Sequence, residues 1–239
     1  RFGTADAAIE HLPELTRSFG SAPPRVPSVS EAEAEMTAAQ RCGARFVALG
    51  EADYPSLLRQ AEAPPPLLAI RGEAAVFSLP AAAIVGARNA SVIGCRMARS
   101  LAAGLGEAGY AVISGLARGI DTAAHEGSLT TGTVAALAGG LDRPYPPENA
   151  ALCDRIVERG ALVSEMPFGW EPRAQDFPRR NRLIAGMSLG LVVVEAARRS
   201  GSLISARLAG EMGRLVFAVP GSPLDPRAEG ANGLLKQGA

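Results

Sequence analysis

From residue 82 onward, short apolar runs recur at a spacing that few folds accommodate. They lie at Ala83–Gly86, Ala111–Ser114, Thr133–Leu137, Ala161–Ser164, Leu191–Val194 and Leu215–Val219. Most are separated by 12–18 residues of helical periodicity. In the first such interval Ser91 reads as an N-cap, Ala98, Leu101 and Leu105 form an apolar stripe, and Gly109 closes the helix. Strands this short and apolar, alternating with amphipathic helices, require a parallel sheet covered on both faces. The expected fold is α/β, a doubly wound, mostly parallel Rossmann-like sheet. Upstream, residues 1–20 read as one or two short helices carrying Ala7, Ala8, Ile9, Leu12 and Leu15, and SAPPRVPSVS (21–30) reads as a linker. EAEAEMTAAQRCG reads as a helix stopped at Gly43, and RFVALG and the end of APPPLLAIRGE (63–73) read as strands. Together these predict a partial N-terminal helical domain and linker over 1–28 and an extended sheet domain over 29–239.

Open sheets of this kind collect ligands beyond the carboxyl ends of their strands. Gly86, Ala87, Arg88 and Asn89 follow the first run, and Ser114-Gly115-Leu116-Ala117-Arg118-Gly119-Ile120-Asp121 follows the second. Gly139 and Gly140 follow the third, Glu165 the fourth, and Glu195 with Arg198-Arg199-Ser200-Gly201-Ser202 the fifth. Glycine lets backbone amides approach a ligand, helix N-termini carry partial positive charge, and arginine offers a bidentate fork. The combination predicts an anion pocket, with phosphate as its occupant. The GARNAS turn lacks the second glycine of GxGxxG, which weighs against NAD or FAD, and no GxxxxGK[ST] is present.

Other residues leave two readings open. FPRRNRLIAG (177–186) sets Arg179, Arg180 and Arg182 at the start of a helix, where positive charge is unfavourable without a compensating anion. Asn181 between them offers a donor and an acceptor; the alternative is a solvated charged face. Asp121 and His125, four apart, are either an acid–base pair or a helix cap (or a brace for Arg118) beside a satisfied polar histidine. Glu165 and Glu195 hold a metal, act as bases, or orient arginines. Phe168 and Trp170 stack on a base or pack in the core.

Composition narrows the partners. Formal net charge is 0, so a nucleic acid must be met by a local basic patch, and 5% aromatic content leaves few stacking platforms. Lys236 is the sole lysine, so that patch is built from arginine. Cys42, Cys95 and Cys153 show no CxxC spacing, which argues against zinc or a disulfide framework and fits a reducing, cytoplasmic setting. No apolar run approaches the roughly 18–20 residues of a membrane span. The sequence opens on Arg1 and stops at NGLLKQGA, mid-element, so a fragment is expected at both ends.

In order, SGLARGID with AAH, FPRRNRLIAG, VVVEAARRSGSLISA and VFAVPG strongly resemble the DprA/Smf family of bacterial DNA-processing proteins, over nearly all of residues 66–239. Residues 1–20 resemble the end of that family's small N-terminal helical (SAM/HhH-like) domain. NGLLKQGA resembles the end of its Rossmann-like domain, after which many members carry a winged-helix module. The resemblance implies a single-stranded DNA-binding protein that protects incoming strands during natural transformation and loads the RecA recombinase onto them. It also implies a homodimer formed through the Rossmann-like domains, with no catalytic residues, metal or cofactor. By motif, Gly86 and Arg88 match the first pocket turn, and Ser114, Gly115, Arg118, Gly119 and Asp121 the second. Asn181 and Arg182 match the Arg-Asn-Arg segment, and Gly201, Ser202 and Ser205 the last turn, where many relatives have threonine at the place of Ser205. Lysines that help bind DNA in some relatives are replaced by arginine here or missing.

The same sheet variant also resembles phosphoribohydrolases that release cytokinin bases from nucleotides. Those carry PGGxGTxxE where this chain has RSGSLISARLAGE; Arg182 and Glu195 would then attack or orient a ribose. A third reading is a scaffolding protein with an inert pocket.

Overall fold

All six apolar runs become strands of one sheet in the computed structural model of the chain, which describes residues 3–12, 14 and 25–239. Leu15 and residues 21–24 of the expected linker lie outside that range. Contacts divide the chain into two units, residues 1–37 and 38–239. In the first, α1 (Ala5–Glu10) is capped by Thr4, whose hydroxyl accepts from the Ala7 amide at 3.2 Å. The start of α2 (Val29–Arg41) is a reciprocal capping box. The Ser28 amide donates to the Glu31 carboxylate at 2.8 Å, and the Glu31 amide donates to the Ser28 hydroxyl at 3.3 Å.

In the second unit the strands are β1 (Ala44–Ala48), β2 (Leu67–Gly72), β3 (Ala81–Gly86), β4 (Ala111–Ser114), β5 (Thr133–Ala136), β6 (Ala161–Ser164), β7 (Gly190–Val194) and β8 (Leu215–Ala218). Their order in the sheet is β1-β2-β6-β5-β4-β3-β7-β8. The six strands from β3 onward are parallel; β2 joins β6 antiparallel, and β1 joins β2 antiparallel. The helices are α3 (Ser56–Arg59), α4 (Val92–Glu107), α5 (Ile120–Ser128), α6 (Ala150–Ile156), α7 (Asp176–Gly186), α8 (Ser202–Glu211) and α9 (Glu229–Lys236).

Two-residue periodicity sends alternate side chains of the parallel strands into different layers. Along β3, Ala83 and Val85 join a core with Ile113, Val134 and Leu183, while Ile84 joins Val112 and Val194 under α4 and α5. Both faces are therefore dry, which is why these strands read as continuous apolar runs. Large side chains such as Ile84, Ile113, Leu162 and Leu183 are fully buried, each stabilising the fold by roughly 1.5–3 kcal/mol. Where α4 meets α5 the layer is thin, because Ala98, Ala102, Ala123 and Ala124 let the helices approach. Ser91 caps α4 through the Gly94 amide at 2.9 Å. The helix ends as the sequence predicts: Gly109 takes φ 85°, and the Tyr110 amide folds back to the Leu105 carbonyl at 2.9 Å.

Candidate functional site

The chain leaves β3 for β4 on one side, works outward to β6, and returns to β7 on the other side of β3. The loops after β3 and β7 consequently part, and a crevice opens between them at the carboxyl edge. It encloses about 710 Å³ and is lined from the β3 end by Gly86 and Arg88, from α7 by Asn181, from the β7–α8 turn by Arg199, and from the first turns of α8 by Ser202 and Ser205. A second pocket of about 270 Å³ adjoins it and shares Arg88, Asn89, Ala117 and Phe177 with it.

Each turn is held by a different device. After β4, Leu116 sits at φ 61° with its side chain fully buried, and Asn149 Nδ2 donates to its carbonyl at 2.8 Å. Asp121, one residue into α5, reaches back and accepts from the amides of Gly115 (3.1 Å) and Ala117 (3.3 Å). The Arg180 guanidinium lies underneath, 6% exposed, and donates to the carbonyls of Gly115 and Ala136. Gly119 at φ 76° lets this turn cross the first; a Cβ there would stand 2.4 Å from the Ala87 carbonyl oxygen. After β7, Glu195 also takes a left-handed conformation, φ 53°, a strain of about 1–3 kcal/mol that surrounding contacts must hold. Its carboxylate accepts from the Ser91 amide at 2.8 Å and from the Ser91 hydroxyl, tying the end of β7 to the start of α4.

The donors left over mark the candidate anion position. Among the described residues, the amides of Arg88, Asn89 and Gly201 have no acceptor in the protein. The Ser205 residue, 1% exposed, lines the crevice, and its hydroxyl has no partner among the described residues. Asn181 Nδ2 donates to the Gly201 carbonyl at 3.3 Å and fixes the start of α8. Arg88 and Arg199 have no carboxylate partner among the described residues, so their charge is available to a ligand.

Beneath the crevice lies a buried polar trio. Burial raises the Asp121 carboxyl above its usual range, opposed by Arg180 and by the two amides. Burial also pulls Arg180 down to about 10, so the attraction between the two only partly offsets their removal from water. His125 is fully buried; one ring nitrogen bonds the Thr133 hydroxyl at 2.8 Å and Nε2 has no partner. Burial, then the nearby Arg180 charge, pulls its pKa down to about 3. It is a neutral core residue, and Asp121 is a turn brace, so the two do not form an acid–base pair. Between pH 6.5 and about 3 the unfolded chain binds a proton at this position that the folded one refuses. Stability is therefore lost as pH falls through that window. In pH-dependent urea melts, His125→Gln is expected to remove up to about 1.4 kcal/mol per pH unit from that slope.

A family model, described as DNA recombination-mediator protein A, matches residues 45–239, and a DprA-like N-terminal HHH domain matches residues 1–38. Protein Smf from Escherichia coli is 44% identical over 189 residues, 78% of this chain and 50% of that protein. DNA processing protein DprA from Bacillus subtilis is 37% identical over 219 residues, 90% of this chain and 72% of that protein. This chain belongs to the DprA/Smf family. It spans about half the length of the curated Smf relatives from Synechocystis (52%) and Escherichia coli (50%). The crystal structure of DprA from Streptococcus pneumoniae superposes with a TM-score of 0.83 at 34% identity, over 99% of this chain and 79% of that one. A Helicobacter pylori DprA structure concerned with that protein's single-stranded DNA binding mode superposes with a TM-score of 0.74 at 29% identity, over 81% of this chain and 88% of that one.

In this DprA/Smf chain the motif residues converge unequally. Gly86, Arg88, Asp121, Asn181, Gly201, Ser202 and Ser205 line the crevice, and Gly115 and Arg118 line the smaller pocket. Ser114 does not reach either: it is fully buried and donates to the Ile84 carbonyl at 2.6 Å. Gly119 lines neither cavity and serves the crossing of turns. Arg182 points away as well, since it pairs with Glu165 and donates to the Ala63 carbonyl at 2.9 Å. Glu165 thus orients arginines, Arg179 as well as Arg182. Arg118 pairs with Glu148 at the surface, and Arg198 lies 3.8 Å from Glu229. The expectation that amides of the second turn face an anion is corrected in part: Asp121 takes those of Gly115 and Ala117, and Ile120 donates to the Ala87 carbonyl at 3.2 Å, while the Arg118 and Gly119 amides have no acceptor among the described residues. Nor do Phe168 and Trp170 line either of these two cavities: Phe168 packs edge-on against Phe46 at 5.9 Å, and Trp170 donates to Asp176 beneath Arg173. Sequence reasoning missed Phe177 and Tyr145 as lining residues and Arg180 as a buried brace. Among the described residues, no group of three His, Cys, Asp or Glu is placed to hold a metal, and no helix is long and apolar enough to cross a membrane.

Proposed function

We propose that this chain binds single-stranded DNA, with backbone phosphates seated in the crevice between the β3 and β7 loops. The observation that carries the reading is the set of donors there without a partner among the described residues: the Arg88 and Arg199 side chains, the amides of Arg88, Asn89 and Gly201, and the Ser205 hydroxyl. A helix N-terminus, free amides and two forked cations meeting at a switch point suit phosphate. The chain is neutral overall, so affinity comes from this local patch. Belonging to the DprA/Smf family supports the further reading that the bound strand is incoming DNA protected during natural transformation. On the same support the protein loads RecA onto that strand and acts as a cytoplasmic homodimer whose two crevices share one strand, raising affinity through effective concentration. This is binding without catalysis, and no cofactor enters it. The hydrolase reading needs a free acid beside the ribose, and Glu195 is instead occupied by Ser91.

Fluorescence anisotropy of labelled oligo-dT and of its duplex, at two salt concentrations, tests the proposal. The expected result is preference for the single strand, with log affinity falling against log salt by about 0.7 per phosphate held. Absent binding, or equal affinity for duplex, would overturn it. Release of free base or ribose phosphate from a nucleoside monophosphate would replace it with the hydrolase.

A further inference from the structure

We infer that Arg227, carried to the crevice by the loop between β8 and α9, is a further strand-binding residue, and that Asp225 positions it. The inference rests on the single-strand reading above.

The loop reads PGSPLDPRA (220–228), and its composition restricts it. Pro220, Pro223 and Pro226 each fix φ and lack a backbone donor, so few conformations are open to the segment. The Asp225 amide donates to the Ser222 carbonyl at 3.0 Å, and the Ala228 amide to the Asp225 carbonyl at 2.9 Å. Both ends are held. Asn232 accepts from the Gly221 amide at 3.0 Å and donates to the Gly221 carbonyl at 2.9 Å. Ala228 is buried, and the Gly230 amide donates to the Ala196 carbonyl at 2.7 Å, in the turn after β7. A Cβ at Gly230 would stand 2.8 Å from the carbonyl oxygens of Ala196 and Ala197, so α9 docks this closely only on a glycine. The loop is thereby fixed against the turn that forms one wall of the crevice.

Arg227 lines the crevice and Asp225 does not. The Asp225 carboxylate accepts from Arg227 Nε at 3.0 Å, from Nη2 at 2.8 Å and from the Arg227 amide at 2.9 Å. These three bonds fix the backbone and the guanidinium together. The bonds from Arg227 hold the Asp225 carboxyl below its usual range, so the pair stays ionised at neutral pH. Glu195, the other carboxylate acting on Arg227, attracts it more weakly and is bonded to Ser91. Three of the five guanidinium N–H groups keep no partner among the described residues. The pair therefore presents its positive end to the cavity, with the carboxylate outside. Arg88 enters from the β3 side and Arg227 from the β8 side, with β7 between them, so a polyanion crossing the crevice meets both.

The test titrates labelled oligo-dT at several salt concentrations against the native protein, Arg227→Ala, Asp225→Asn and the double variant. An exposed ion pair contributes little to stability, so these changes leave the fold standing. Arg227→Ala is expected to weaken binding about tenfold and to reduce the slope of log affinity against log salt by about 0.7. Asparagine keeps an acceptor for the Arg227 amide but loses the charge and the second acceptor. Asp225→Asn is expected to weaken binding about threefold, the cost of ordering one freed side chain, although it removes a negative charge. In the Arg227→Ala background the same change should leave binding unchanged or tighten it, because no guanidinium remains to be held. Unchanged affinity and slope in Arg227→Ala would overturn the strand contact. Tighter binding by Asp225→Asn alone would overturn the positioning role and make the carboxylate a competitor of the strand. Equal weakening by Asp225→Asn in both backgrounds would overturn it as well, by assigning Asp225 to loop shape. A native protein that binds no single strand would sink the reading on which the inference rests.

Discussion

Arg88→Ala is expected to weaken single-strand binding by about ten- to a hundredfold, the value of one or two hydrogen bonds to a charged group. Its reason is geometric. Arg88 is exposed, faces both cavities, and no carboxylate among the described residues competes for it. Its one recorded side-chain contact is the face of Phe177, a contribution of about 0.5–1 kcal/mol at a surface site. Removing it should leave the fold within about 0.5 kcal/mol of the parent. The salt dependence carries more information than the affinity. If Arg88 holds a phosphate, the slope of log affinity against log salt should shrink by about 0.7–1. Arg118→Ala is the matched comparison, because Arg118 is equally exposed but already paired with Glu148. Anisotropy titrations of the three proteins at several salt concentrations decide the matter. Equal losses for both variants, or an unchanged slope for Arg88→Ala, would show that charge near the crevice acts diffusely and that Arg88 holds no phosphate.

The largest effect on stability is expected at Arg180. Its guanidinium is buried, donates to the Gly115 and Ala136 carbonyls, and supplies the charge nearest Asp121. Arg180→Met keeps the apolar stem but strands two carbonyls and an ionised carboxylate away from water. Breaking one side of a buried pair in this way costs about 3–5 kcal/mol. Arg180→Lys should recover little, because an ammonium cannot span two carbonyls as a planar fork does. Urea midpoints in a double-mutant cycle with Asp121→Asn check the assignment: the double variant should be less destabilised than the sum of the singles. The sign with pH follows. Asp121 has a folded pKa above its unfolded value, so the folded state binds the extra proton and loses stability as pH rises through that range. Without Arg180 the shift grows, so the deficit of Arg180→Met should be largest near neutral pH and narrow on acidification. An additive cycle with a pH-independent deficit would mean that Arg180 acts through packing alone.

The consequence for the crevice follows from the same contacts. Arg180 holds the underside of the turn that Asp121 closes from within, and that turn carries the Ile120 amide to the Ala87 carbonyl beside Arg88. Structural braces and ligand-facing groups are thus interleaved, one residue apart, in the segment 114–121.

That interleaving explains what was legible in the sequence. The six parallel strands and the cap at Ser91 were legible because local rules decide them: apolar runs of fixed length, a side-chain acceptor before a helix, a glycine after it. So was the edge of the sheet at which the candidate site lies, since every helix that follows a parallel strand begins at that edge. The antiparallel addition of β2 and β1 beyond β6 was not, because pairing partners far apart in sequence leave no mark in either strand. The same holds for the roles of four consecutive residues at the start of α7. Successive helical side chains point about 100° apart, so Arg179, Arg180, Asn181 and Arg182 must face different surroundings. Composition alone made three arginines equivalent. Packing against β4 and β5 sends Arg180 into the core, Asn181 to the crevice, and Arg179 and Arg182 to Glu165. The sequence by itself determined the fold class and the edge of the sheet where glycine, serine and arginine gather, because each rests on local pattern. Which donors remain free for a ligand was decided only by tertiary structure, because a donor is free only when no other part of the chain has reached it.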